Sequence, residues 1–284
     1  MKEMRPLLFA AFFILCSLGV AWAEKREGLI REHYEDGALH SEKNYRNDQL
    51  NGVSKIYYPN GKIQKLYRFE NNQLDGIQKE YYENGRLKRQ AVYKDGQLDE
   101  AVSDYYENGA LERKMTYKDG KKDGRFQQFY QEGTLKVEGQ YKGDQLSGQM
   151  ISFYPNGRRE REDDYKNGEL DGISRLYYES GSLKKAAHYK NGQLSGGTED
   201  YYENSVLAGA AVYEKDKQVG TRKKYYEDGK LLSECGMRGG KEECTIRVYH
   251  DNGNLRKETI VRGGYQILKR KIYDREGSLI SIKQ

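Results

Sequence analysis

Gly76-Ile77-Gln78-Lys79-Glu80-Tyr81-Tyr82-Glu83-Asn84-Gly85-Arg86-Leu87 alternates polar and apolar residues and then breaks at an Asn-Gly pair. Alternation with a period of two marks a half-buried strand. Asn-Gly between two such runs is a strong hairpin signal, because both residues tolerate the positive φ of a type I′ turn. A second run, Leu87 to Tyr93, meets Asp95-Gly96, and a third begins at Leu98. Two turn signals in so short a span leave no room for a helix of three turns. The stretch predicts a meander in which every strand pairs with its sequence neighbours.

The same stretch recurs along the chain. Tyr34, Tyr58, Tyr82, Tyr106, Tyr130, Tyr154, Tyr178, Tyr202 and Tyr226 are each 24 residues from the last, and the count continues to His250 and Asp274. Three residues after each stands a glycine, from Gly37 to Gly277, with Ser205 as the exception. Two residues further stands an aliphatic residue such as Leu87, with Arg159 as an exception, and Glu100 replaces a glycine that closes most units. The expected fold is all-β: an elongated single-sheet antiparallel meander of tandem β-hairpins, with about eleven 24-residue units spanning 24–284. Two strands per unit at about 4.8 Å would make a ribbon on the order of 100 Å long, stabilised by neighbour contacts, with the units at His250 and Asp274 as an end cap.

Turn geometry predicts the register. A two-residue loop at Asn84-Gly85 sets Glu83 opposite Arg86 and Tyr82 opposite Leu87; one at Asp95-Gly96 sets Tyr93 opposite Leu98 and Ala91 opposite Glu100. Side chains alternate across a strand, so Tyr82, Leu87, Ala91, Tyr93 and Leu98 share one face, and Ile77, Tyr81 and Val92 the other. The Tyr82 face is expected to form a thin core, since a tyrosine buries its ring while its hydroxyl stays hydrated. The opposite row, Tyr57, Tyr81, Tyr105, Tyr177, Tyr201 and Tyr225, is the candidate contact face.

Composition alone would mislead. A mean hydropathy of −1.02 with 33% charged residues suggests disorder, yet there are 26 tyrosines, and only 3 prolines stand against 32 glycines. The net charge of +5 is spread thinly among interleaved acids, which argues against a nucleic-acid partner. Residues 1–23 read as a signal peptide: Lys2 and Arg5, an apolar run from Leu7 to Val20, then Ala21-Trp22-Ala23 before a cleavage after Ala23. The run is marginal for spanning a bilayer of about 30 Å, and Leu15 before Cys16 does not suit a lipoprotein site. Export to the periplasm or the extracellular space is expected.

Cys235 and Cys244 flank Gly239-Gly240 symmetrically, so a two-residue turn there places them directly opposite, within disulfide range. Export makes the oxidising compartment plausible. His33, His40, His188 and His250 are scattered, with no cysteine or carboxylate at metal-ligand spacing. No nucleophile elbow, Walker loop or dinucleotide fingerprint occurs, so no catalytic residue, metal or cofactor is expected. Lys94, Lys118, Lys142, Lys166 and Lys190 occupy equivalent turn positions and read as a solvated edge.

Tyr81-Tyr82-Glu83-Asn84-Gly85-Arg86-Leu87 and Tyr165-Lys166-Asn167-Gly168-Glu169-Leu170-Asp171-Gly172 resemble the MORN repeat in its bacterial variant form, over about Gly28 to Leu279. Chains of this kind are often labelled YwqK-family antitoxins. The resemblance implies a β array used for protein–protein contact or, in some members, lipid association, and it carries no catalytic residues. The expectation is an exported, non-enzymatic protein-interaction or scaffolding module. A toxin-neutralising, cell-wall glycan-binding or membrane-lipid-binding array is the alternative.

Overall fold

The computed structural model describes residues 25–238, 241–263 and 266–284. The proposed signal peptide and the Gly239-Gly240 turn lie outside the described residues. The rest forms one open antiparallel sheet of 26 strands without a helix among the described residues. Each long strand pairs with the strands before and after it, from Gly28–His33 to Leu279–Lys283.

The two turns of a unit differ. Asp95 and Gly96 both adopt positive φ, 51° and 79°, and Tyr93 faces Leu98, as a two-residue type I′ loop requires. The Asn84-Gly85 turn departs from the prediction. Only Gly85 is left-handed, at φ 90°; its N–H donates to the Tyr82 carbonyl at 2.8 Å, and the Tyr82 N–H donates to the Arg86 carbonyl at 2.8 Å. Asn84 Oδ1 accepts the Arg86 N–H at 2.8 Å, which favours a non-left-handed asparagine. The loop therefore holds three residues, a turn followed by a left-handed glycine. Tyr82 faces Arg86, Tyr81 faces Leu87, and Lys88 is left over as a bulge before Glu80 meets Arg89. Leu87 moves to the Tyr81 face.

A second irregularity closes most units. The glycine there is left-handed, as at Gly76 with φ 78°, and Glu100 adopts the same conformation at φ 65°. The Asp99 N–H still reaches the Val92 carbonyl at 2.9 Å, so two residues are taken up and Gln90 meets Ser103. Ala91 consequently does not face Glu100. Ser205, at φ 66°, keeps the turn of its unit.

The buried residues, Glu162 apart, run down the middle of one face. Gln78 faces Ala91, Val102 faces Met115, Met115 faces Phe126, and Ala187 faces both Ser174 and Thr198; all are buried. Among the described residues no second layer covers them. Around Ala91 the flanking side chains include Tyr67, Leu74, Arg89 and Tyr93, so the long outer rows shelter a central row of smaller residues. Sizes compensate across the strands: Phe126 faces Gly139, where a Cβ would come within 2.8 Å of the phenylalanine ring. Asp163 is buried in this row, its charge met by Arg161 Nε at 2.6 Å.

Candidate interaction face

The opposite face carries Ile77, Lys79 and Tyr81 and their equivalents. Leu29, Val53 and Ile77 stay exposed along one margin. The middle is charged and paired across strands. Arg31 meets Glu42 at 3.0 Å, and Glu42 meets Lys55 at 3.7 Å. Further on, Glu162 is approached by Arg159 of its own strand at 2.5 Å and by Arg175 of the next strand at 3.8 Å. The other margin is the tyrosine row.

Tyr57, Tyr81, Tyr105, Tyr177, Tyr201 and Tyr225 each end the first strand of a unit, opposite an aliphatic residue such as Leu87 or Leu111. All six are half-buried. Several hydroxyls are held by carboxylates of the same face: Tyr57 donates to Glu42 at 2.8 Å, Tyr177 to Glu162 at 3.0 Å, and Tyr201 to Glu199 at 2.7 Å. Burial, reinforced by the hydrogen bond to Glu42, pushes the Tyr57 phenol up to about 12. In return that bond, with Arg31, holds Glu42 below the usual carboxylate range. Phe129 and Phe153 occupy the same position in their units. The 24-residue period places them in the row, together with Tyr249 and Tyr273.

The second tyrosine of each pair has a structural role that the sequence reading missed. Tyr82 does not leave its hydroxyl hydrated; it donates to the Tyr105 carbonyl at 2.7 Å. Tyr34, Tyr58, Tyr106, Tyr130, Tyr154, Tyr178 and Tyr202 do the same to residues 23 positions on. His250 replaces the hydroxyl with Nε2, 3.2 Å from the Tyr273 carbonyl, and Asp274 accepts the Ser278 N–H instead. Each unit is thereby fastened to the next at the margin where the Tyr81-type residues lie.

Cys235 and Cys244 form a disulfide, with Cα atoms 4.0 Å apart. Cys244 stands 24 residues after Gly220, where a unit-closing glycine would be left-handed. Without that glycine the strands run in unbroken register from Ser233–Ile246 to Arg238–Lys241, which puts the cysteines opposite one another. Glu242 approaches both sulfurs, but sulfurs joined to each other are not thiolate ligands. That trio is the only metal-ligand grouping among the described residues.

An open sheet of hairpin units, each tied to its neighbours, defines a tandem-repeat protein whose contacts are nearly all between adjacent units. The MORN repeat variant matches residues 26–47, 50–71, 74–95, 101–119, 122–142, 146–167, 170–191 and 218–236. The matched segments make up more than half of the chain, and the chain belongs to this repeat family. No curated protein matches it. Among solved structures, that of TcdB2-TccC3 is similar at 10% identity and a TM-score of 0.21, over 89% of this chain and 18% of that one. The Photorhabdus luminescens Tc holotoxin pore is similar at 10% identity and a TM-score of 0.18, over 88% and 18%. The chain spans less than a fifth of either protein, and at these TM-scores the likeness carries no argument.

Proposed function

We propose that the chain is an exported, non-catalytic interaction module that docks a protein partner along its Tyr81-type row. The observation that carries this reading is the row itself: aromatic residues repeated at one position and half-buried, with Tyr57, Tyr177 and Tyr201 pinned by carboxylates of the same face. Tyrosine is enriched in interfaces, and side chains held in place before binding lose little entropy on contact. The disulfide is compatible with an oxidising compartment. Affinity would be spread over several units rather than concentrated in a pocket. Replacing Tyr81, Tyr105, Tyr177 and Tyr201 together with alanine should abolish co-purification of the partner from envelope extracts while the far-ultraviolet circular dichroism keeps its sheet signature. Undiminished recovery of the partner would reject the reading. Neutralisation of a periplasmic or secreted toxin, as the YwqK-type resemblance implies, is a special case of the same docking. Glycan or lipid binding would instead appear as sedimentation with purified peptidoglycan or vesicles.

A further inference from the structure

The bulge that the three-residue turn creates falls at the same position in every unit, and in five successive units its residue is charged with alternating sign. Lys88, Glu112, Lys136, Glu160 and Lys184 are each skipped by the strand register. A bulge re-aims the side chain it releases. Lys88, Glu112, Lys136 and Lys184 are exposed and Glu160 is half-buried. Lys88, Glu112 and Lys136 border one cleft, which also takes in Asp104, Arg113 and Gln128. Asp104 alternates in phase with Val102 and belongs to the Gln78 face, while Tyr105 and Phe129 of the tyrosine row also line the cleft, so it sits at the tyrosine margin, away from the exposed Ile77 margin.

The three lysines lie over tyrosine rings, Lys88 over Tyr82 at 5.5 Å, Lys136 over Tyr130 at 5.4 Å and Lys184 over Tyr178 at 5.2 Å. None of the five charges takes part in an ion pair among the described residues, although Asp104, which borders the same cleft as Lys88, Glu112 and Lys136, is paired with both Arg89 and Arg113. Successive members of the row stand about 10 Å apart, two strand spacings, which is too far for them to neutralise one another by contact. The flanking equivalents, Gln64 and Ala208, are uncharged, so the alternating row begins and ends within the sheet.

We propose that this row is a self-complementary surface on which a second copy of the chain docks. A two-fold interface brings residue i against residue j and j against i. An axis between the units of Glu112 and Lys136 sets Glu112 against Lys136 of the second copy and Lys88 against Glu160 of the second copy. Both pairs occur twice, and no like charges meet. An axis through Lys136 would set lysine on lysine and glutamate on glutamate. One between Lys136 and Glu160 pairs opposite charges but leaves Lys88 on Ala208, whereas the first leaves Lys184 on Gln64, whose side-chain oxygen can accept a hydrogen bond from it. A copy of the same array supplies the required alternation at the required spacing, because its strands have the same pitch.

Sedimentation of the purified chain should show a dimer at low ionic strength that dissociates at about 1 M salt, where the screening length is about 3 Å. Glu112→Lys and Lys136→Glu should each weaken dimerisation by about tenfold or more, since each sets like charges opposite, and the double swap should restore it. All three variants alter exposed side chains, and unchanged circular dichroism would confirm folding. A monomeric wild-type chain at low salt, single variants that dimerise like wild type, or a double variant no better than the singles would each overturn the proposal. Partner capture through the Tyr81-type row is read separately, by co-purification, and either result can fail without the other.

Discussion

Glu100 sits where eight other units carry a left-handed glycine, from Gly28 to Gly220, and it adopts φ 65°. A residue with a Cβ is disfavoured there, at a cost on the order of 1 kcal/mol. Glu100→Gly should stabilise the chain by about 0.5–1 kcal/mol, read as a higher urea midpoint at unchanged slope. Gly139 makes the opposite case. Its Cβ would lie 2.8 Å from the Phe126 ring, so Gly139→Ala should cost about 1–3 kcal/mol through overpacking. Shortening the facing side chain with Phe126→Leu should recover part of that loss. Stability of Gly139→Ala equal to wild type would mean that this central row is not packed as described.

Within the hairpin, the disulfide closes a short loop between Cys235 and Cys244. Such a crosslink contributes about 2–3 kcal/mol on the chain-entropy estimate. Reduction should therefore lower protection from hydrogen exchange in residues 231–249 more than in units near the N-terminus, because contacts run only between neighbours. The cysteine pairing was legible from the sequence because the turn symmetry set it; the deeper reason, loss of the unit-closing glycine at Cys244, needed the register of the other units. The repeat, the meander and the Asp95-Gly96 turn were legible for the same reason: local residues dictate them. The Asn84-Gly85 turn was not, since Asn-Gly suits both a two-residue loop and a three-residue loop, and only the Asn84 bond to the Arg86 N–H and the left-handed Gly85 distinguish them. That single-residue difference moved Leu87 to the tyrosine row and released the Lys88-type positions. The Tyr82 ties were illegible because their acceptors are backbone carbonyls 23 residues on.

Across the whole sheet, the tyrosines and their carboxylate partners make stability depend on pH at both ends. Burial first, then hydrogen bonds to Glu42 and Glu162, raises the phenols of Tyr57 and Tyr177. A group whose pKa is higher folded than unfolded stabilises fully below its unfolded value, about 10 for tyrosine, and that contribution is lost as the pH rises through the folded value, about 12 for Tyr57. Glu32, held down by Lys43 and Ser41, and Glu42, held down by Tyr57 and Arg31, have the opposite sign. Their contribution is present above the ordinary glutamate pKa of about 4.3 and is lost as the pH falls below it. The melting temperature should be flat between these limits and fall outside them; Tyr57→Phe should shrink the alkaline fall, and an unchanged fall would remove Tyr57 from its causes. On the functional side, capture of a foreign protein is assigned to the Tyr81-type row, while the Gln78 face shelters the central residues and is bordered by the charged row proposed to meet a second copy. A photo-crosslinking amino acid placed singly at Tyr105, Tyr177, Tyr93 or Tyr189, in the chain expressed in its native cell, separates them most directly. Adducts to a foreign protein at positions 105 and 177, with none at 93 and 189, are the predicted result; adducts at 93 and 189 alone, or at none of the four, would contradict it.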